Sequence, residues 1–201
     1  MELSRILLQL LPRHPEFVPN PRKWRFWRDS FIIFWAFSFF GHIVEFVCTY
    51  LRLDFFGSPP AQMPFFQLAI PYGFGVVAIL WFVYPLVAKK KIGVATTFLV
   101  SALVCTAVEF LCGWVVYLNF GFNAYWDYSG DFMNLFGFVC LRNSLAFGFG
   151  GVVVVYILFP WIDHFLRKIS QLRLNVIFWV LFSGYIGVHI YDLLTTGSLF
   201  G

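Results

Sequence analysis

Charge is what this chain has least of. Of its 201 residues, 12% are charged, while 60% are hydrophobic and 22% aromatic. A soluble domain carries about 25% charged residues. The composition therefore excludes a water-soluble globular protein and implies a polytopic membrane protein held in one unit. No soluble stretch is long enough for a separate catalytic or nucleotide-binding domain. The sequence has no GxxxxGK(S/T) loop, which removes ATP hydrolysis by that route, and no HExxH or repeated ExxH pair to hold a catalytic metal. It has no GxSxG element and no evident serine–histidine–acid set. Cys48, Cys105, Cys112 and Cys140 form no CxxC pair and no zinc pattern. In apolar runs such cysteines are small packing residues. A disulfide between two of Cys48, Cys112 and Cys140, which fall toward one membrane face, is the alternative.

What is present is a series of five apolar runs, at Phe31–Leu53, Pro64–Ala88, Val94–Leu118, Gly137–Phe159 and Leu174–Leu194. Each meets the requirement of about 20 residues for a spanning helix. The basic residues then set orientation. Arg5, Arg13, Arg22, Lys23, Arg25 and Arg28 precede the first run; Lys89–Lys91 join the second to the third; Arg167, Lys168 and Arg173 join the fourth to the fifth. Only Arg52 and Arg142 fall on the other side. The positive-inside rule places the N-terminus in the cytoplasm and the C-terminus outside. Because topology uses nearly all the basic residues, the net charge of +4 is no sign of nucleic-acid binding. Ahead of the first run, Leu3, Ile6, Leu7, Leu10 and Leu11 recur at helical spacing up to Pro12, which predicts a short interfacial helix. Its run is too short for a signal peptide, and no cleavage site follows. RKWRFWR at 22–28 suits a headgroup layer.

The polar residues inside the runs share a depth. At ~1.5 Å per residue, Glu45 lies ~21 Å from the start of its run, and Glu109 and His189 lie ~22 Å from the starts of theirs. Tyr72, Arg142 and Asn143 enter from the opposite side and lie about two turns in. All belong to one stratum, in the outer half of the bilayer. A bare carboxylate in hydrocarbon is costly and by default faces the protein interior. On the third run Thr97, Ser101, Cys105, Glu109 and Gly113 recur every fourth residue, a stripe of the kind that packs membrane helices. Ser38, Gly41, His42, Glu45 and Thr49 form a similar face on the first. Arg142 projects nearly opposite the small-residue stripe of its run, so either that helix starts later or Arg142 snorkels to the headgroups.

Each constellation has two readings. Glu45 and Glu109 either bind a ligand, cation or proton in an outward chamber, or are satisfied structurally by Arg142, His42 or His189. His42 and Glu45, three apart on one face, suit either two metal ligands or a histidine held by a carboxylate, and the second is preferred. YWDYS at 125–129, with Asn134 and Gly137 after it, is either a partly re-entrant lid carrying Trp126 and Asp127 or an aromatic belt. IPYGFG at 70–75 is either a broken helix presenting backbone dipoles or a proline-tolerant helix start.

Several motifs carry a family likeness. FxxxFxxFGHxxEF in the first run, PYGFG in the second, AVEFLCGW in the third and WDYSGDFMNLFGFVCLRNSLAFG into the fourth resemble the CmpB-like ABC-transporter permeases. These are small bacterial membrane proteins with small eukaryotic transmembrane relatives. The matching residues are Glu45, Tyr72, Gly73, Glu109, Gly113, Trp114, Trp126, Asp127, Tyr128, Asn134, Gly137 and Cys140, and the likeness covers about Phe31–Pro160. His42 stands where a tryptophan is expected, and Phe138 where an arginine often follows the glycine. If that arginine balances an acid, Arg142 or His42 takes its place.

The expected fold is all-α, a polytopic bundle of five transmembrane helices, with an interfacial segment at 1–30, a four-helix core at 31–160, and a cytoplasmic loop plus fifth helix at 161–201. The expected function is that of a transporter's membrane subunit with an outward-facing polar chamber. The alternatives are an intramembrane enzyme acting on a lipid-like substrate, or a structural or regulatory membrane protein. Candidate binding residues are Glu45, Glu109, Tyr72, Asp127, Trp126, Asn134, His42, His189 and Arg142. No cofactor is expected. Membrane lipids, a separate ATPase subunit docking on Trp161–Arg173, and further copies of the chain are the candidate partners, and a bacterial inner membrane is the expected location.

Overall fold

The computed structural model describes residues 6, 9, 11–12, 17, 19–51, 69–89 and 91–196. It is all-helical, with no strand among the described residues. Five helices are long and apolar enough to cross a membrane: α1 (Trp24–Tyr50), α2 (Ile70–Ala88), α3 (Val94–Phe120), α4 (Leu141–Lys168) and α5 (Gln171–Thr196). In hydrocarbon every backbone polar group must be satisfied within the chain, and a continuous helix does this locally. The interfacial helix expected around Leu3–Pro12 and the connection containing Arg52 lie outside the described residues.

Of the boundaries that differ from the apolar runs, three bear on the packing and the site. α1 begins at Trp24 rather than Phe31. Its first turns are charged, yet they are held by partners on α5. α4 begins at Leu141 rather than Gly137. Gly137 has φ 71°, a left-handed conformation that belongs to the preceding loop. At its far end α4 continues to Lys168, so Trp161–Arg173 is helix with a short break at Ile169 and Ser170 instead of a loop.

α2 and α4 each contain one widened turn, at Ile79–Val83 and Val154–Leu158. Prolines explain both. Pro85 and Pro160 lack an N–H, and their rings crowd the carbonyl four residues earlier. The chain answers with one π turn, in which the Tyr84 and Phe159 N–H groups reach back to Ile79 O and Val154 O.

α1 pairs antiparallel with α2, and α3 with α4; α2 also packs on α3, and α5 runs along α1. Glycines set the spacing. A Cβ at Gly73 would strike the Phe34 carbonyl and Ser38 Oγ, one at Gly148 the Phe98 ring, and one at Gly151 Ser101. Close backbone approach of this kind drives helix association in lipid.

The interior is divided along its length. At the end bearing Arg28, Lys89 and Arg167, Val83, Val87, Val155 and Phe159 are fully buried in a dry core. Toward the other end the buried side chains turn polar: Ser38, His42, Ser101, Glu109 and Asn143.

The basic end is fastened by an ion pair. Arg28 and Asp29 are 2% and 1% exposed. Arg28 donates to Asp29 Oδ1 at 2.6 and 2.8 Å, to Asn175 Oδ1 at 2.8 Å and to Gln171 Oε1 at 2.9 Å. One guanidinium thus ties α1 to α5 with planar donors that lysine lacks. Nearby, Asp163 accepts from the Phe17 backbone N–H at 3.4 Å and from Arg167 at 2.8 Å. Truncating Arg28 strands a buried carboxylate, so Arg28→Met is expected to cost about 3–5 kcal/mol. In denaturation of the detergent-solubilised protein, Arg28→Met combined with Asp29→Leu is expected to recover much of that loss.

Candidate functional site: a buried polar layer on Glu45 and Glu109

The buried face of α3 is the stripe Thr97, Ser101, Cys105, Glu109 and Gly113. Glu109 is 6% exposed. Its Oε1 accepts a hydrogen bond from the Tyr128 hydroxyl at 3.2 Å. The Asn143 side chain, from the first turn of α4, also hydrogen-bonds the carboxylate. Glu109 Oε2 and Asn143 Oδ1 are buried with no partner of their own. On α1, Glu45 is bonded by the Tyr72 hydroxyl from the first turn of α2. Tyr72 can lie there because its ring covers Gly41, where any Cβ would occupy the ring's place.

The two acid–phenol pairs lie within electrostatic reach of each other. Glu45 and Glu109 interact electrostatically, and so do Tyr72 and Tyr128. His42, one turn before Glu45, is 5% exposed with Nε2 unpartnered, and the Ser38 and Ser101 hydroxyls are likewise unpartnered. Native interiors leave few such groups.

Residues 121–140 form the device that supplies Tyr128. Gly121, at φ 76°, ends α3. The Asp127 carboxylate then accepts from Ser129 N at 3.0 Å, Ser129 Oγ at 2.5 Å and Asn123 Nδ2 at 3.2 Å. Asn134 donates to Ser129 O and Asp131 O and accepts from Gly137 N. Trp126 Nε1 donates to Phe138 O at 2.9 Å, and Tyr128 N to Gly137 O at 2.9 Å. Phe138 fills the space left by Gly113. These bonds turn Tyr128 inward, 3% exposed, to meet Glu109 about three turns below the end of α3.

The structure therefore brings Glu45, Tyr72 and Glu109 together and places Trp126, Asp127 and Asn134 in the loop that carries Tyr128. Arg142 sits in the first turn of α4 and bonds Asp131 at 3.2 Å. His189 lies on α5 against Tyr185, with ring centroids 4.5 Å apart. Tyr128 and Asn143 are absent from the candidates drawn from sequence. Among aromatics as dense as YWDYS, nothing marks which ring turns inward; for Asn143 the signal is its depth, in the same stratum as Glu45 and Glu109. Cys105, Cys112 and Cys140 are free thiols. Among the described residues no group of three or more His, Cys, Asp or Glu is placed to hold a metal ion.

A bundle of five helices long and apolar enough to cross a membrane, with Glu109 buried and Glu45 half-buried in its polar layer, is the class of protein these features define. The chain belongs to the family described as "Putative ABC-transporter type IV", whose model matches residues 32–196. The match runs through α5, beyond the Pro160 limit of the motifs recognised in the sequence. No match was found among curated proteins or among solved structures.

Two tests address this geometry. Gly73→Ala sets a Cβ against a backbone carbonyl that cannot move aside, and is expected to cost about 1–3 kcal/mol in thermal unfolding. Gly150→Ala, whose Cβ meets nothing within 4 Å, is the comparison expected to stay neutral. In the loop, hydrogen bonds from Ser129 hold the Asp127 carboxyl below its ordinary pKa. A pKa lowered by folding stabilises the loop above the ordinary carboxylate value and loses that contribution as pH falls through the lowered one. Exchange protection of the Tyr128 and Leu135 amides is expected to fall on acidification, and Asp127→Asn to remove that dependence.

Proposed function

We propose that the protein is the membrane subunit of a transporter. The polar layer between α1, α2, α3 and α4 is its chamber, open to the outside and closed toward the cytoplasm by the dry core around Val83 and Phe159. The observation that carries this reading is Glu109, a carboxylate in a membrane span with one oxygen satisfied by Tyr128 and the other unpartnered beside Asn143. Membrane carboxylates are rare outside pathways and binding sites. The basic residues at the α1 start, the α2 end and the α4 end orient the closed end to the cytoplasm. With no nucleotide-binding motif in the chain, energy comes from a separate ATPase. The end of α4 offers it a surface: Phe159, Asp163 and Leu166 are buried, while Trp161 and Phe165 are 77% and 65% exposed.

Affinity purification of the tagged full chain from its native membrane is expected to bring down an ATPase subunit. ATP hydrolysis by that complex in proteoliposomes should fall to the level of the isolated ATPase in Glu109→Gln, with assembly unchanged. Recovery of the chain without an ATPase, together with solute uptake unaltered in a deletion strain, would overturn the assignment.

A further inference from the structure

The chain contains one pattern twice. VEFVC at 44–48 recurs as VEFLC at 108–112, and Phe34 stands before the first as Phe98 stands before the second, at the same spacing. YGFG at 72–75, with Pro85 after nine residues, recurs as FGFG at 147–150, with Pro160 after nine residues. The copies match in space as well. Gly73 packs on Phe34 and Gly148 on Phe98. The π turns occupy equivalent positions, Ile79–Val83 and Val154–Leu158, and touch each other. Trp81 donates to Ser30 on α1, and its counterpart Tyr156 shares a hydrogen bond with Thr97 on α3. Tyr84 and Phe159, also counterparts, stack with ring centroids 4.0 Å apart. A residue that touches its own counterpart lies on the axis relating the copies. The α1–α2 and α3–α4 hairpins are thus parallel repeats about an approximate pseudo-two-fold axis along the bundle, broken in that α2 packs on α3 more closely than α4 packs on α1, with α5 outside the pair.

Under this relation Glu45 and Glu109 are counterparts. Tyr72 corresponds to Phe147, which has no hydroxyl. The second copy restores a phenol by another route, since its longer connection lays Tyr128 on Glu109. Packing alone would be served by Phe147. Restoring the hydroxyl on the acid points to the chemistry of the pair as what both copies require.

We infer that Glu45 and Glu109 form one twinned site across the pseudo-two-fold axis, and that its ligand is a small monocation, an alkali ion or a primary ammonium group. Of the unpartnered buried atoms, Glu109 Oε2 and Asn143 Oδ1 are acceptors, while the Ser38 and Ser101 hydroxyls and His42 Nε2 can either donate or accept. Asn143 is 3% exposed and is turned onto Glu109. Arg142, next to Asn143 in the chain, is directed to Asp131. Two carboxylates, an amide oxygen and two phenols make an oxygen-rich set, and with no group of three or more His, Cys, Asp or Glu placed for a metal among the described residues it suits a hard monocation or an N–H donor better than a transition metal. Two neighbouring carboxylates repel each other, and a small cation held between them relieves that repulsion. The inference rests on the chamber of the proposed transport reading and is independent of the ATPase.

The test is thermal unfolding of the purified full chain in detergent at constant ionic strength. Potassium, sodium or methylammonium chloride is titrated against N-methyl-D-glucamine chloride, whose cation is too large for the site. A saturable rise in Tm is expected with at least one small cation, and methylammonium against the alkali ions tells an amine site from an ion site. Glu45→Gln and Glu109→Gln should each abolish the rise, and the double variant should lose nothing more. Tyr72→Phe and Tyr128→Phe should each weaken the apparent affinity about two- to tenfold, the loss of one hydrogen bond. If a Glu→Gln variant does not elute as a folded species, the two Tyr→Phe variants decide. No saturable rise in the wild type, or dependence on one half only, overturns the twinned site. A saturable rise in a chain that purifies without an ATPase keeps the site and removes the transporter reading.

Discussion

Glu109 is tolerable inside an apolar bundle because a phenol and an amide are brought to it, and much of the second half of the molecule follows from that requirement. Tyr128 cannot reach the carboxylate from an ordinary short connection. The chain instead runs through a twenty-odd-residue loop stiffened by Asp127, Asn134 and Trp126, seats Phe138 on Gly113, and only then starts α4 at Leu141. The late start of α4 places Asn143 in its first turn, against the same acid. On the first hairpin the equivalent demand is met more simply, by Tyr72 lying flat on Gly41.

A polar layer would loosen a bundle without a firm base, and the base is at the opposite end. There aromatic and branched residues fill the interior, and Arg28, paired with Asp29 on its own helix, secures α1 to α5 through side-chain hydrogen bonds to Asn175 and Gln171. A buried ion pair is weak support for stability by itself. What this one supplies is a defined register between helices that smooth apolar faces would leave free to slide.

Hydropathy and helical period made much of this legible in advance. Five runs of spanning length became five helices, and the small and polar residues at every fourth position of the third became its buried face. What stayed hidden depended on distant partners. RKWRFWR reads as a headgroup segment until Gln171 and Asn175 are seen closing on Arg28. Tyr128 is one ring among many, and the backbone bond from its N–H to Gly137 is what turns it inward. Arg142 had two readings because the start of its helix was unknown; the left-handed Gly137 resolves that by ending the loop late. The duplicated pattern was readable in principle, but connections of unequal length put its two halves out of step.

The fifth helix changes what such a duplication means. A hairpin leaves by the side it entered, so two can be joined in tandem with neither turned over, and the product keeps both of its ends on one face. α5 breaks this parity. It starts at the basic end beside Arg28 and runs alongside α1, with Trp24 against Phe178 near its beginning and Phe31 against Tyr185 further along. One of two otherwise interchangeable outer helices is thereby covered, while α3 keeps Leu103, Leu111 and Leu118 bare along its flank. The bundle therefore has a covered flank and a bare one.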